Sequence, residues 1–305
     1  MKQSRRNFVK TGAAALACGS ALLQSERLHA QTLRVPLGLQ LYSVRDILPK
    51  EYDGTLKDIG SLGYKDAESA GYFNHSVAEV KQAITNAGLN LVSSHHGAGD
   101  LQAKLDEIIA FEKELGVGHI ICASPTLRDP SRLQNMSFAE RMHAFTLDDW
   151  KWNADQLNAF GEKVQAAGLK FGYHNHFTEF HKVDGEVPYD VLMQRTDPAK
   201  VTMEMDCGWV IIGGGNPIEL LHKYPKRITM LHVKDFKKPD TSAAPGTRPV
   251  IAELGQGFID YKPIFEAAAK AGHIKHVFVE QEGFDVPPMQ SLKIDADYMR
   301  KLGVG

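Results

Sequence analysis

The sequence has few cysteines and no excess of charge of either sign. It contains 3 cysteines in 305 residues, too few for the disulfide framework of a small secreted domain. There are 35 lysines and arginines against 37 aspartates and glutamates, so the formal net charge is −2. A balance of this kind provides no basic field for holding a nucleic acid backbone. With 43% hydrophobic and 24% charged residues, the composition indicates an ordinary globular protein.

A long apolar run is also missing. The best candidate, residues 12–23, consists mostly of small residues and is too short for a good transmembrane helix. It follows a basic start and precedes Leu28-His29-Ala30, which offers a small-residue cleavage site, as in a secretory signal peptide. We therefore predict a signal peptide over residues 1–30 and no stable membrane insertion.

Paired arginines begin this leader. Arg5-Arg6, followed by Phe8 and Lys10, resembles the twin-arginine export signal, which predicts a periplasmic location. Cys18 could mark a lipoprotein anchor, but the residues before it fit that pattern poorly. Twin-arginine export carries proteins across the membrane already folded, which suits a metalloenzyme loaded before release.

The rest of the chain, residues 31–305, alternates short apolar runs with longer amphipathic stretches. No Gly-x-Gly-x-x-Gly follows the first strand and no low-complexity linker divides the chain, which disfavours a doubly wound dinucleotide fold and a second domain. Repeats of roughly 30 residues predict an α/β fold, a single-domain (β/α)₈ TIM barrel. The predicted strands are residues 35–42, 64–68, 90–95, 119–123, 170–175, 201–206, 228–233 and 276–281. Insertions at residues 125–146 and 237–257 follow strands, so we expect them to cover the active site.

Side-chain parity predicts which polar residues enter the barrel. Successive strand residues face opposite ways, and the outward set must be apolar because it meets the helices. On the sixth strand Met203, Met205 and Cys207 form the apolar set, so Glu204 and Asp206 point inward.

The same reasoning turns one residue inward near the end of each of three other strands: His174, His232 and Glu280. A cluster of uncompensated acids in a barrel is costly, and a bound cation removes that cost. Together with Asp206, these side chains predict one divalent metal ion, and two acids with two imidazoles suit Mn²⁺, Co²⁺, Zn²⁺ or Fe²⁺.

Several segments resemble the sugar phosphate isomerase/epimerase family, the xylose-isomerase-like TIM barrels that also include AP endonucleases, inosose dehydratases and ketose 3-epimerases. The resemblance extends over about residues 34–303. The matching segments are residues 38–43 (GLQLYS), 173–176 (YHNH), 205–209 (MDCGW), 231–235 (LHVKD) and 279–282 (VEQE). It implies metal ligands from strands five to eight, of which the last three match Asp206, His232 and Glu280.

The fifth-strand position departs from the family pattern. The resemblance implies a glutamate there, in a Glu-Asn-His string, whereas this sequence has His174-Asn175-His176. Either His174 binds the metal or Glu179 swings back to replace it. Because epimerases of the family use the glutamates of strands five and eight as paired bases, the departure weakens the case for symmetrical two-base epimerisation.

This chemistry predicts a metal-dependent sugar isomerase/epimerase that acts through an enediolate beside a carbonyl. The alternative is a lyase that dehydrates a keto-sugar or eliminates the leaving group of a 3-keto-glycoside. The candidate bases are Glu280 and Glu179, and His176 or Lys234 could return a proton or hold the departing oxygen.

Other polar residues at the strand ends are predicted to contact a small-molecule carbohydrate. They are Gln40, Glu68, His96 (with His95 as the alternative that parity leaves open), Trp209 and Glu282. A DNA-repair endonuclease is disfavoured by the near-neutral charge, whereas a non-catalytic sugar-binding protein remains an alternative. The sequence allows a homo-oligomer without specifying one.

Overall fold

A computed structural model describes residues 33–141, 143–238 and 247–305. The predicted signal peptide, residues 1–30, lies outside the described residues, as does Cys18. Within the described ranges, no helix is both long enough and apolar enough to span a bilayer.

Eight parallel strands close into one barrel, each pairing with the next along the chain and the last with the first. This arrangement confirms the predicted single-domain (β/α)₈ fold. The strands are β1 Leu37–Gln40, β2 Asp66–Ser69, β3 Asn90–His96, β4 His119–Cys122, β5 Lys170–His174, β6 Thr202–Asp206, β7 Ile228–Val233 and β8 His276–Val279.

A helix of at least 7 residues follows every strand and packs on the outside of the barrel. These helices are α1 Tyr52–Ser61, α2 Val77–Ala87, α3 Ala98–Leu115, α4 Leu147–Ala166, α5 Pro188–Arg195, α6 Pro217–Lys223, α7 Tyr261–Ala271 and α8 Pro288–Lys301. Local sequence signals set several ends. Ser76 and Thr146 begin α2 and α4 with capping boxes, and Gly88 ends α2 with a left-handed φ of 67°.

The barrel interior changes from apolar to polar along its axis. Ile121, Met230 and Phe278 form an apolar cluster separate from the main core, with Val92 packed against it. The His232 ring lies directly beside this cluster, with its centroid 5.7 Å from that of Phe278. A polar pair also lies at the amino-terminal ends of the strands, where Asp66 Oδ2 is 2.9 Å from His276 Nδ1, but the polar side chains around His232 lie at the carboxyl ends, where the active sites of barrels of this kind lie.

The two insertions lie after β4 and β7, as the sequence predicted. The first contains two short helices, Pro130–Leu133 and Phe138–Arg141. The second contains the antiparallel pair Asp235–Phe236 and Ile251–Ala252. The buried Asp235 fixes the end of this insertion, because its carboxylate accepts hydrogen bonds from the backbone N–H groups of residues 255, 257 and 259 at 3.0–3.1 Å.

Asp295 of α8 anchors the same insertion and predicts a pH dependence of stability. Its Oδ1 accepts the Leu254 N–H at 2.7 Å, and its buried Oδ2 has no hydrogen-bond partner. Burial raises the pKa of Asp295 to about 7; the Leu254 hydrogen bond lowers it, and the carboxylates of Glu253 and Asp235 raise it. The folded chain thus retains a proton that the unfolded chain, with a pKa of about 3.9, releases.

We expect the free energy of unfolding to fall as the pH rises from about 4 to about 7, by as much as about 4 kcal/mol from Asp295 alone. Asp295→Asn should therefore show a smaller decrease in Tm between pH 5 and pH 8 than the wild type. The exposed Asp58 of α1 provides the control, and Asp58→Asn should keep the wild-type slope. Equal slopes in all three proteins would contradict the assignment.

Candidate metal centre and active site

The four predicted ligands meet at the carboxyl ends of β5 to β8. His174, Asp206, His232 and Glu280 are all buried, and each offers a ligand atom within 4.8 Å of those of the others. The inward orientation deduced from parity therefore brings the four side chains together. Two carboxylates and two imidazoles form a donor set that first-row divalent metals favour.

The environments of His174 and Asp206 fit a cation. Burial lowers the pKa of His174 well below its ordinary value, and neighbouring His232 adds to this effect, so the ring is neutral. Its Nδ1 lies 2.9 Å from Glu204 Oε1, and its Nε2 lies 3.7 Å from Asp206 Oδ2. Asp206 Oδ1 accepts the Trp209 N–H at 2.7 Å, whereas its buried Oδ2 accepts no hydrogen bond. The lone pair of His174 Nε2 thus faces a carboxylate oxygen that also has the Lys234 ammonium 2.9 Å away.

His232 has a carboxylate on each side of its ring. Nδ1 lies 3.0 Å from Glu280 Oε2, and Nε2 lies 2.7 Å from Glu68 Oε1. Burial acts to lower the pKa of His232, but the charges of Glu204 and Glu68 outweigh it and raise this pKa well above its ordinary value. A cation held at Nδ1 would take the place of that proton, while Nε2–H still donates to Glu68. Such a carboxylate partner orients a metal-binding histidine.

A second polar layer lies directly beneath the four ligands. Glu204 Oε1 is 2.7 Å from His95 Nε2, 2.9 Å from His174 Nδ1 and 3.1 Å from His232 Nε2. These four residues form a second group of potential metal ligands, which shares His174 and His232 with the first. Parity turns Glu204 inward but does not predict its contacts. Its position two residues before Asp206 on β6 is the sequence signal that places it in the layer below the ligands.

Gln40 and Glu68 belong to this lower layer. Both side chains are fully buried, and Gln40 Nε2 donates to Glu68 Oε1 at 2.7 Å. Neither is among the residues that line the pocket, although the sequence predicted both as substrate contacts. Their position suits the support of His95 and His232, each of which also approaches Glu68 Oε1.

Lys234 places a buried positive charge beside the ligands. Its Nζ lies 2.7 Å from Glu280 Oε2 and 2.9 Å from Asp206 Oδ2, and it also donates to Glu282. Burial acts to lower the pKa of Lys234, but these three carboxylates raise it well above its ordinary value. The ammonium is therefore retained and borders the proposed cation position.

A pocket of about 490 Å³ opens above the ligands. Trp209, Glu282 and His176 line it together with His174 and Glu280. Trp209 Nε1 donates to Glu282 Oε1 at 3.1 Å. His176 Nδ1 is buried without a hydrogen-bond partner, so the contribution of His176 to the pocket lining comes from the rest of its ring.

Two predicted residues face away from the pocket. His96 Nε2 lies 2.8 Å from Glu112 Oε1 of α3, so His95 is the inward residue of the pair and lines the pocket. Glu179 is fully buried and accepts hydrogen bonds from the Tyr173 hydroxyl at 2.7 Å and the His176 N–H at 2.9 Å. These bonds keep Glu179 in the turn after β5, which leaves His174 as the fifth-strand candidate ligand.

Removal of a central ligand tests the metal centre. We expect Asp206→Ala and His232→Ala each to fold but to lose the metal during dialysis, because each removes a ligand and leaves a charged neighbour uncompensated. Metal content measured by elemental analysis, with circular dichroism for the fold, checks this. Full occupancy in both variants would rule out the proposed ligands.

The fifth-strand assignment has a separate test. His174→Ala should weaken metal binding by at least about 100-fold, whereas Glu179→Gln should change it by less than about tenfold, because Glu179 lies outside both ligand groups. Competition with a chelator of known affinity gives both constants. The opposite order would transfer the ligand role to Glu179.

Comparisons with known proteins agree with this geometry. Residues 56–302 match the family model described as xylose isomerase-like TIM barrel. The chain is 26% identical over 247 residues to an inosose dehydratase of Lacticaseibacillus casei, covering 76% of this chain and 82% of that protein. An inosose dehydratase of Clostridium tetani is 30% identical over 247 residues, with the same two coverages.

A solved structure is similar over most of the chain. The crystal structure of a sugar phosphate isomerase/epimerase from Parabacteroides distasonis superposes with a TM-score of 0.71 and 26% identity, covering 88% of this chain and 98% of that one. A family model that matches most of the chain, a closed eight-stranded sheet and a candidate ligand set at the ends of its later strands lead to the same conclusion: the chain belongs to the xylose isomerase-like TIM barrel family.

Proposed function

We propose that this protein is a divalent-metal-dependent lyase. It would remove the proton beside the carbonyl of a keto-sugar or keto-polyol and expel the oxygen substituent on the next carbon. The observation that carries this proposal is the asymmetry of the ligand set: Glu280 is a carboxylate in the pocket, whereas His174 occupies the corresponding fifth-strand position. The names of the inosose dehydratase relatives support the same reaction type.

The cation would be held by His174, Asp206, His232 and Glu280. When bound, a divalent cation supplies Lewis-acid polarisation of a carbonyl oxygen, which acidifies the neighbouring C–H bond. The remaining steps fall to the side chains around it.

Glu280 is the candidate base. Burial acts to raise the pKa of Glu280, but Lys234 and His232 lower it well below its ordinary value, so the carboxylate is ionised, which is the form that a base requires. The C–H electron pair then forms a carbon–carbon double bond as the adjacent C–O bond breaks. His176, which lines the pocket, or the ammonium of Lys234 would protonate the departing oxygen, which leaves as water or an alcohol.

The second candidate is an isomerase/epimerase, which is the reaction that the sequence alone favours. It shares the proton abstraction and differs only in where the proton returns. The similarity to the Parabacteroides distasonis protein favours it, but a single carboxylate base favours elimination. We also propose export of the folded protein, on the pattern of residues 1–30.

Proton exchange and product analysis in D₂O test the reaction. With metal-reconstituted protein and scyllo-inosose or methyl 3-keto-β-D-glucopyranoside, we expect loss of water or methanol, and deuterium at the carbon beside the carbonyl of substrate that has not yet eliminated, both read by NMR. Glu280→Gln at saturating metal should slow both by about 10²–10⁴-fold. The exposed Glu266→Gln is the control and should match the wild type.

Each alternative has its own signature in this experiment. Exchange with a rearranged but intact carbon–oxygen framework would indicate an isomerase or epimerase. Binding of the ketones with no exchange at all would indicate a sugar-binding protein and contradict the lyase.

A further inference from the structure

We infer that a second cavity beside the active-site pocket binds a second ring of the substrate, so that the natural substrate is a glycoside rather than a single ring. The inference rests on the proposed function, because it concerns the group that leaves in that elimination. The second cavity measures about 510 Å³, against about 490 Å³ for the active-site pocket. Both volumes lie within the range of small-molecule sites.

The two cavities adjoin each other. Both are lined by Ala70, His95 and Gly97, at the ends of β2 and β3. Ala70 and Gly97 have no side chain beyond Cβ, and a Cβ added at Gly97 would meet only Asp100 Oδ2, at 3.9 Å. A substrate centred on the metal ligands can therefore extend across this low divide without displacing a side chain.

The base of the second cavity is a buried hydrogen-bonded carboxylate. Glu112 of α3 is fully buried, with Oε1 2.8 Å from His96 Nε2 and Oε2 accepting the Tyr72 hydroxyl at 2.7 Å. These bonds hold the Tyr72 ring against that of Phe111, with centroids 4.9 Å apart. His96, which faces away from the metal ligands, thus belongs to this cavity instead.

The walls suit a neutral ring that carries hydroxyl groups. Tyr72, Phe73 and Phe111 supply partly exposed aromatic surface, which can pack against the C–H face of a sugar ring. Asp100 and Lys104, paired at 3.1 Å, stand on the α3 side and can bond hydroxyl groups. The acids Asp100, Glu107 and Glu112 outnumber Lys104, which disfavours a phosphate or carboxylate ligand.

Both walls have unusual backbone geometry. Phe73 and Asn74 are consecutive non-glycine residues in the left-handed region, with φ of 51° and 65°. On the opposite wall, α3 is interrupted at Lys104, where φ is −145° and ψ is 34°. Costly conformations of this kind persist at ligand sites, and here both of them border the cavity.

Two probes that differ by one ring test the inference. We compare 3-keto-cellobiose, with the ketone on its non-reducing ring, with methyl 3-keto-β-D-glucopyranoside, measuring kcat/KM for release of glucose or methanol by the metal-loaded full chain. We expect the wild type to favour the two-ring probe by at least about tenfold. Tyr72→Ala should reduce this ratio at least fivefold.

A matched substitution controls for simple destabilisation. Tyr224 is also half-buried and donates from its hydroxyl to a carboxylate, that of Asp190, at 2.7 Å, but it is not among the residues lining either cavity. Tyr224→Ala should keep the wild-type ratio. Phe111→Ala serves as a second cavity variant in case Tyr72→Ala, which leaves Glu112 short of a partner, fails to fold. In saturation-transfer NMR with unoxidised cellobiose, the signal of the reducing-end ring should be lost in whichever of Tyr72→Ala and Phe111→Ala folds.

The outcomes separate this inference from the proposed function. Deuterium exchange on the one-ring probe with a wild-type ratio near one, or a ratio unchanged in folded Phe111→Ala, would overturn the second-ring site while leaving the lyase in place. No exchange and no release from either probe would overturn the lyase and, with it, the inference that depends on it.

Discussion

The site depends on one buried electrostatic constraint: the carboxylates of Glu68 and Glu204 must be neutralised inside the barrel. Both are almost fully enclosed, and an unpaired charge at such a depth would cost several kcal/mol. The imidazoles of His95 and His232 approach both carboxylates at 2.7–3.1 Å. The lower layer therefore pairs its charges, although Glu204 Oε2 has no hydrogen-bond partner, and it sets the orientation of the rings that project toward the pocket.

This constraint explains why His174 and His232 are in different protonation states. His232 lies between carboxylates, whereas His174 has Glu204 on one side and the charge of His232 nearby. One ring is thus held charged until a cation replaces its proton, and the other is neutral from the start. With His174 at the fifth-strand position, Glu280 is the candidate base of the proposed elimination, whereas symmetrical epimerisation would need a second base on the opposite face of the substrate.

Much of this could be predicted from the sequence because the barrel repeats two simple periods. The predicted seventh strand, residues 228–233, has the same bounds as β7, and parity correctly turned four ligand candidates inward. Parity failed at His95 and His96 because the register between β2 and β3 shifts after Ala67, which breaks the alternation. The sequence also does not show how deep a side chain lies in the barrel. Alternation indicates that Glu68 faces inward, but not that it lies below the pocket instead of in its wall.

Side-chain hydrogen bonds account for the other differences between the sequence prediction and the structure. Glu179 was an open alternative because a side chain five residues beyond β5 has the reach to return; the Tyr173 hydroxyl that holds it elsewhere leaves no mark in a linear pattern. Glu282, at the rim of the pocket, also has partners that are distant in sequence. Its side chain accepts from Trp209, Lys234 and Arg248, and its backbone carbonyl accepts from Arg45. Four separate segments thus converge on one residue, so substitutions among them share a single partner and their free-energy effects are not independent. A change in any one of these four partners therefore alters the environment of the other three through Glu282.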